Sequence, residues 1–182
     1  INENRPFDDA ALLEFRSQFE RQRPDLPDGT IACVDKMPEN YRLVGFLKSA
    51  YPGCRIIHIE RDPRDVALSM WKAHFSGSAL SYTYDLKSMA QKFNLYARMM
   101  GHWQRLYGDD ILRISYEDMT RNIDETSRRI ADHCQLRWTA RMARPDLAAG
   151  QVLTKSATQI RQPVHTRSIG AWQKHQDLLE PF

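Results

Sequence analysis

Apolar residues recur along this chain at two spacings, and the points where the spacing changes mark its elements. Leu12, Phe15 and Phe19 fall three and four apart behind Asp8 or Asp9, either of which can cap a helix; Arg21 to Thr30, with two prolines and a glycine, ends it. This helix reads as packing material. Ile31-Ala-Cys-Val34 is a short apolar strand. Pro38 suits a first helical position, and the helix runs to Tyr51 with Leu43, Phe46, Leu47 and Ala50 on one face before Pro52-Gly53 stops it. Ile56, Ile57 and Ile59 are β-branched and nearly continuous, as in a strand covered on both faces of a parallel sheet, and that strand spans Arg55 to Glu60. Strand, helix and strand within about thirty residues form a βαβ unit with a right-handed crossover, hence a parallel sheet.

The apolar run breaks at Glu60-Arg61, where Asp62 suits the N-cap, Pro63 the first helical position and Asp65 the dipole-favoured first turn of a helix reaching about Phe75. Ser76 to Tyr84 has no helical period and reads as a loop over the site; its aromatics line an acceptor pocket, or it is a solvated connector. Asp85 caps a long helix with a core stripe of Leu86, Met89, Ala90, Phe93, Ala97, Met100 and Trp103, ended by Gly108. Ile111 to Tyr116 alternates as a strand, and Asn122 to Gln135 is helical with Ile123, Ile130 and Ala131 inward, a third βα unit. From Arg137 onward Pro145, Gly150, Pro163 and Gly170 interrupt any period. That tail nevertheless carries Thr154, Ser156, Thr158, Arg161, Arg167 and Ser168, all able to donate to an anion or a base edge.

Composition narrows the class. The 182 residues, 42% of them hydrophobic, make one domain with material for a core. A formal charge of +3 is too small and dispersed for non-specific nucleic-acid binding, yet compatible with an anionic ligand in a local basic pocket. Cys33, Cys54 and Cys134 are odd in number and lack metal-ligand spacing, so they read as buried reduced thiols in a cytoplasmic protein. No apolar run approaches the roughly 20 residues that span a membrane, and no basic, apolar leader opens the chain. It opens with Ile1 rather than Met, as a processing product or the edge of a longer chain does.

Chemistry concentrates at the junction Glu60-Arg61-Asp62-Pro63. In open α/β sheets ligands sit outside the carboxyl ends of the strands, which puts Arg61, with its fork of donors, where a phosphate would bind. Ser69 lies roughly 9 Å along the helix from Pro63, so a phosphate held by both residues would sit beside the helix rather than on its tip. The bland alternative is a surface ion pair between Arg61 and Asp65.

Arg61-Asp-Pro-Arg-Asp-Val-Ala-Leu-Ser69 after an apolar strand resembles the 3′-phosphate motif of sulfotransferases that use 3′-phosphoadenosine 5′-phosphosulfate. Val34-Asp-Lys-Met-Pro-Glu-Asn40 resembles the Asp-Lys-x-Pro segment of the bacterial and tyrosylprotein branches, and Ser115-Tyr-Glu-Asp-Met119 and Arg167-Ser-Ile-Gly-Ala-Trp172 follow in the family's order. The resemblance implies an α/β fold, a parallel sheet flanked by helices in the P-loop NTPase-like sulfotransferase manner, N-terminally truncated. It implies 3′-phosphoadenosine 5′-phosphosulfate as donor, with 3′,5′-adenosine bisphosphate as product and no metal, and a small-molecule, carbohydrate or peptide acceptor; nucleic acid and membrane are not expected partners.

By the same resemblance Arg61 and Ser69 hold the 3′-phosphate, and Arg167, Ser168 and Gly170 form its second clamp. Tyr116 and Thr154 lie by the adenine, while Lys36 and Ser156 serve the phosphosulfate. Sulfuryl transfer needs in-line positioning and cations more than a covalent nucleophile, which suits Lys36 just beyond the Ile31–Val34 strand. Glu117 and Asp118 read as caps of the next turn, and Trp172 as packing beneath the clamp. Two departures stand out: no glycine-rich phosphosulfate loop occurs in these residues, and Pro38 stands where cytosolic members place a histidine base. The loop and its strand are expected before Ile1, leaving near Lys36 and Arg61 either a gap one strand wide or another segment or chain that fills it, and an isolated chain that is unstable, aggregation-prone and inactive. A kinase-like phosphotransferase and a catalytically dead nucleotide-binding or scaffold domain are the alternatives.

Overall fold

Two five-residue strands carry the sheet in the computed structural model, which describes residues 8–23, 25–73, 75, 78–147, 164–179 and 182. β1 (Ile56–Glu60) and β2 (Ile111–Ser115) pair in parallel, with Ile56 opposite Ile111 and Glu60 opposite Ser115. The described residues thus form a helix-rich mixed fold around a small parallel sheet. The predicted strand at Ile31–Val34 does not form: the segment is irregular, with Ile31 85% and Val34 84% exposed. A strand's amides and carbonyls need a neighbouring strand, and none among the described residues lies beside this one. The βαβ unit predicted across Ile31 to Glu60 therefore gives way to one running from β1 to β2.

Helix α1 (Asp9–Gln22) starts where expected, Asp8 accepting from the Ala11 amide at 2.8 Å. Its Phe15 and Phe19 meet Phe46 and Tyr51, with Phe15 edge-on to Phe46 at 4.5 Å. The helix predicted from Pro38 to Tyr51 breaks in two, a 3₁₀ turn over Pro38–Arg42 and α2 (Val44–Ala50). The cause is visible: the Tyr41 carbonyl, which an unbroken helix would give to Gly45, accepts from Trp103 Nε1 at 2.7 Å. Lys48, 7% exposed, reaches from α2 to Asp110 at 2.8 Å and ties that helix to the entrance of β2.

Helix α3 (Pro63–Lys72) follows β1 and ends slightly short of Phe75, because Ala73 is extended. The segment predicted as a loop over the site forms 3₁₀ turns over Ser78–Tyr84. Its Tyr82 packs against the core formed by Ala67, Leu68, Met89 and Leu179. Helix α4 (Leu86–Tyr107) is capped by Asp85 as predicted and buries Met89 and Met100, but Ala97 of the expected core stripe is exposed and lines a cavity. Gly108, right-handed here, leads into a 3₁₀ turn ahead of β2.

Strand β2 stops at Ser115, one residue before prediction, because Ser115 caps α5 (Tyr116–Arg121) by accepting from the Asp118 amide at 3.2 Å. Helix α6 (Ile123–His133) is shorter than predicted at both ends, and Gln135 beyond it turns left-handed at φ 56°. The cysteines are free, yet not buried: Cys33 is exposed with its unformed strand, and Cys54 and Cys134 are half-buried. After 3₁₀ turns over Ala140–Ala143 and Pro145–Leu147, the described chain resumes at Val164 and closes with 3₁₀ turns over Ala171–Leu178, which pack on α3. No helix among the described residues is long and apolar enough to cross a membrane.

Candidate functional site

Parallel pairing brings the two predicted strand-end residues together. Glu60 and Ser115 are register partners, so Arg61 and Tyr116 emerge side by side at the carboxyl edge of the sheet. The Arg61 guanidinium carbon lies 4.7 Å from the centre of the Tyr116 ring, a cation–π contact. Its Nη2 donates to the Ser168 carbonyl at 2.8 Å, and the Ser168 and Tyr116 hydroxyls stand 3.4 Å apart. Arg61 Nε is buried without a hydrogen-bond partner among the described residues. Three segments far apart in sequence thus meet at one corner.

Two carboxylates organise that corner. Glu117 accepts from the Asp62 amide at 3.1 Å and the Ser115 hydroxyl at 2.9 Å, joining the end of β2 to the start of α3. Burial acts to raise its pKa, but these donors and the Arg61 charge outweigh it and hold the carboxyl below its usual range. Asp65, in the first turn of α3, is 2% exposed and accepts from Gly170 N at 2.7 Å and Trp172 N at 3.0 Å. Gly170 sits at φ 70°, a left-handed conformation that turns the tail toward α3. Arg64 pairs with Asp62 at 2.7 Å and stacks 3.5 Å over Trp172, so Trp172 packs against the corner as expected. The alternative of an Arg61–Asp65 ion pair does not describe it: each residue is engaged with the tail instead.

Ser69 lies on the exposed side of α3, and Arg167 is exposed. Lys36 is exposed too, following the irregular segment rather than a strand end. It lines a cleft of 980 Å³ beside β1, together with Met37, Tyr41, Tyr51, Ile57 and Ile59. Arg61 lines a second cavity, of 370 Å³, between β1 and α4. The structure therefore brings Arg61, Tyr116, Ser168 and Gly170 together and leaves Lys36 on a neighbouring cleft. Thr154 and Ser156, like Thr158 and Arg161, lie outside the described residues.

His58, Tyr96 and Met100 line both cavities. The Tyr96 hydroxyl meets His58 Nε2, while His58 Nδ1 is 3.2 Å from Glu60, itself paired with Arg113 at 2.7 Å. Burial pushes the His58 pKa down and the Tyr96 pKa up to about 12, and the hydrogen bonds from Arg113 hold Glu60 low. The cluster is a hydrogen-bonded wall that ends in the Glu60–Arg113 ion pair.

Sequence reasoning missed the roles of Asp65 and Glu117. For Asp65 a signal was present, an acid three residues before Leu68 on the face of α3 that becomes buried. For Glu117 the alternation of β2 carried none.

The chain is similar to an uncharacterized protein of Aquifex aeolicus, 27% identical over 176 residues. That match covers 95% of this chain and 23% of the relative, so the chain spans about a quarter of the relative's length. The model of the sulfotransferase family matches residues 2–140, a span that includes both strands, Arg61 and Tyr116 but stops short of Ser168 and Gly170. With that match across well over half of its length, the chain belongs to the sulfotransferase family.

Proposed function

We propose that this chain forms the nucleotide-binding part of a sulfotransferase of P-loop NTPase-like fold that draws its sulfuryl group from 3′-phosphoadenosine 5′-phosphosulfate. The observation that carries this reading is the convergence of Arg61, Tyr116 and Ser168 at the carboxyl edge of a parallel sheet. Arg61 Nε, buried and unpartnered among the described residues, is a donor suited to a phosphate oxygen. The fit of the nucleotide rests on that donor and on the flat face of Tyr116.

In this reading Arg61 grips the 3′-phosphate, with Ser69 further along α3 and Arg167, Ser168 and Gly170 as the second clamp. Tyr116 offers its ring to the adenine, with Thr154 beside it. Lys36 and Ser156 serve the phosphosulfate, Lys36 by opposing charge on the leaving and sulfuryl oxygens. A glycine-rich phosphosulfate loop does not occur in these 182 residues, and none of them is assigned that role. The acceptor is a hydroxyl or amine of a small molecule, carbohydrate or peptide, and no residue here is assigned as its base.

Titration calorimetry with 3′,5′-adenosine bisphosphate, 5′-AMP and ATP with Mg²⁺ tests the reading. The bisphosphate is expected to bind more tightly than ATP, and Arg61→Ala to cost about 1.5–3 kcal/mol with the bisphosphate and less with 5′-AMP, which lacks the 3′-phosphate. ATP binding equal to or tighter than the bisphosphate would favour a kinase-like phosphotransferase and sink the proposal.

A further inference from the structure

We infer that Asp65 is a positioning residue for the phosphate pocket: its carboxylate clamps the tail turn so that Ser168 fixes the guanidinium of Arg61. The inference rests on the nucleotide reading above and adds to it a residue that touches no ligand. A carboxylate 2% exposed is strongly unfavourable unless its oxygens are hydrogen-bonded. Each oxygen of Asp65 takes one backbone amide, Gly170 on Oδ2 and Trp172 on Oδ1, across 105 and 107 residues of sequence. The position in the first turn of α3 adds the favourable field of that helix's free amides.

The consequence travels two residues. Gly170 held at φ 70° places Ser168, whose carbonyl accepts from Arg61 Nη2. With Nη2 engaged there and the guanidinium carbon 4.7 Å from the centre of the Tyr116 ring, Arg61 keeps Nε, unpartnered among the described residues, for a ligand. Without the clamp the tail turn loses its two hydrogen bonds to α3 and keeps only the packing of Trp172 there, so the Ser168 carbonyl no longer fixes the rotation of Arg61. Two acceptors are needed, one per amide. Asn keeps one acceptor oxygen and turns an NH₂ toward the other amide, leaving a buried donor unpaired.

The test compares wild type, Asp65→Asn and Arg61→Ala of the whole chain, titrated with 3′,5′-adenosine bisphosphate and with 5′-AMP. Amide hydrogen exchange is followed without ligand over Gly170 to Trp172 and over the two strands. Asp65→Asn is expected to weaken bisphosphate binding about tenfold while changing 5′-AMP binding less than about twofold, and to speed exchange at Gly170 and Trp172 but not in the strands. Unchanged bisphosphate affinity, equal loss for both nucleotides, or faster exchange throughout the strands overturns the inference. If Arg61→Ala takes the same from both nucleotides, the nucleotide reading itself fails and the inference falls with it; if only Asp65→Asn is silent, the inference alone fails. Gly170→Ala strains the same turn from its other side, and should also reduce the preference for the bisphosphate. Added to Asp65→Asn it should cost little more, because both changes release one contact; full additivity would count against the clamp.

Discussion

An aspartate in this protein is 2% exposed while an isoleucine is 85% exposed, and the contrast between the corner around Asp65 and the segment around Ile31 explains much of the molecule. At the corner Asp65 is buried and Glu117 and Arg61 are half-buried, held by partners from distant segments: Asp65 holds two amides, Glu117 an amide and a hydroxyl, and Arg61 a carbonyl and a ring. Beneath it lies the apolar cluster of Ala67, Leu68, Met89 and Leu179. Along Ile31–Val34 the side chains are as apolar as those of β1, yet they stay exposed, because their backbone has no strand to pair with among the described residues. Burial here follows the satisfaction of hydrogen bonds as much as hydrophobicity.

Three measurements break or sharpen that contrast. The largest effect is expected from Met89→Ala, since Met89 is fully buried in the cluster under the corner. It should lower stability by about 2–5 kcal/mol in urea unfolding, with loosened exchange at Gly170 and Trp172. A loss below about 1 kcal/mol would mean that the cluster does not support the corner.

Acidification comes second. The fold favours neutral His58, whose pKa lies below 6.5, and ionised Glu117, whose pKa lies below 4.5. For His58 the unfolded chain binds the extra proton first, so stability falls as the pH drops below 6.5 and keeps falling until the folded-state pKa is passed. For Glu117 the stabilisation present above 4.5 is lost as the pH falls through the lower folded value. Unfolding free energy measured from neutral pH downward should therefore decline in two stages, and His58→Gln should flatten the first. A profile that rises on acidification would contradict both assignments.

The smallest effect belongs to the exposed segment. Ile31→Ser combined with Val34→Ser should change stability by no more than about 0.5 kcal/mol, as surface substitutions do. A larger loss in thermal unfolding would show that these side chains are covered in solution and would erase the contrast with the corner.

The helices were legible in the residues for local reasons. Asp8, Asp62 and Asp85 cap them where the pattern places their starts, and Pro63 opens α3. The junction after β1 was legible as a ligand edge because a strand, a break, a cap and a proline fall in immediate succession. Tyr116 was legible only as a strand end, since the Ser115 hydroxyl turns it into the first residue of a helix. The split at Leu43 depends on the indole of Trp103, about sixty residues away in the chain, and no local pattern carries that.

What the sequence determined by itself is therefore local: capped starts, apolar stripes on α1 and α4, the strands β1 and β2, and a motif order that places the chain in its family. The tertiary structure decided which apolar segment is a strand, which acid is buried, and which cation faces which cavity. A cap or a stripe is satisfied within a few residues of chain, whereas a strand, a buried carboxylate or a held guanidinium needs partners from distant segments. Only the fold supplied Gly170 and Trp172 to Asp65, and Ser168 to Arg61.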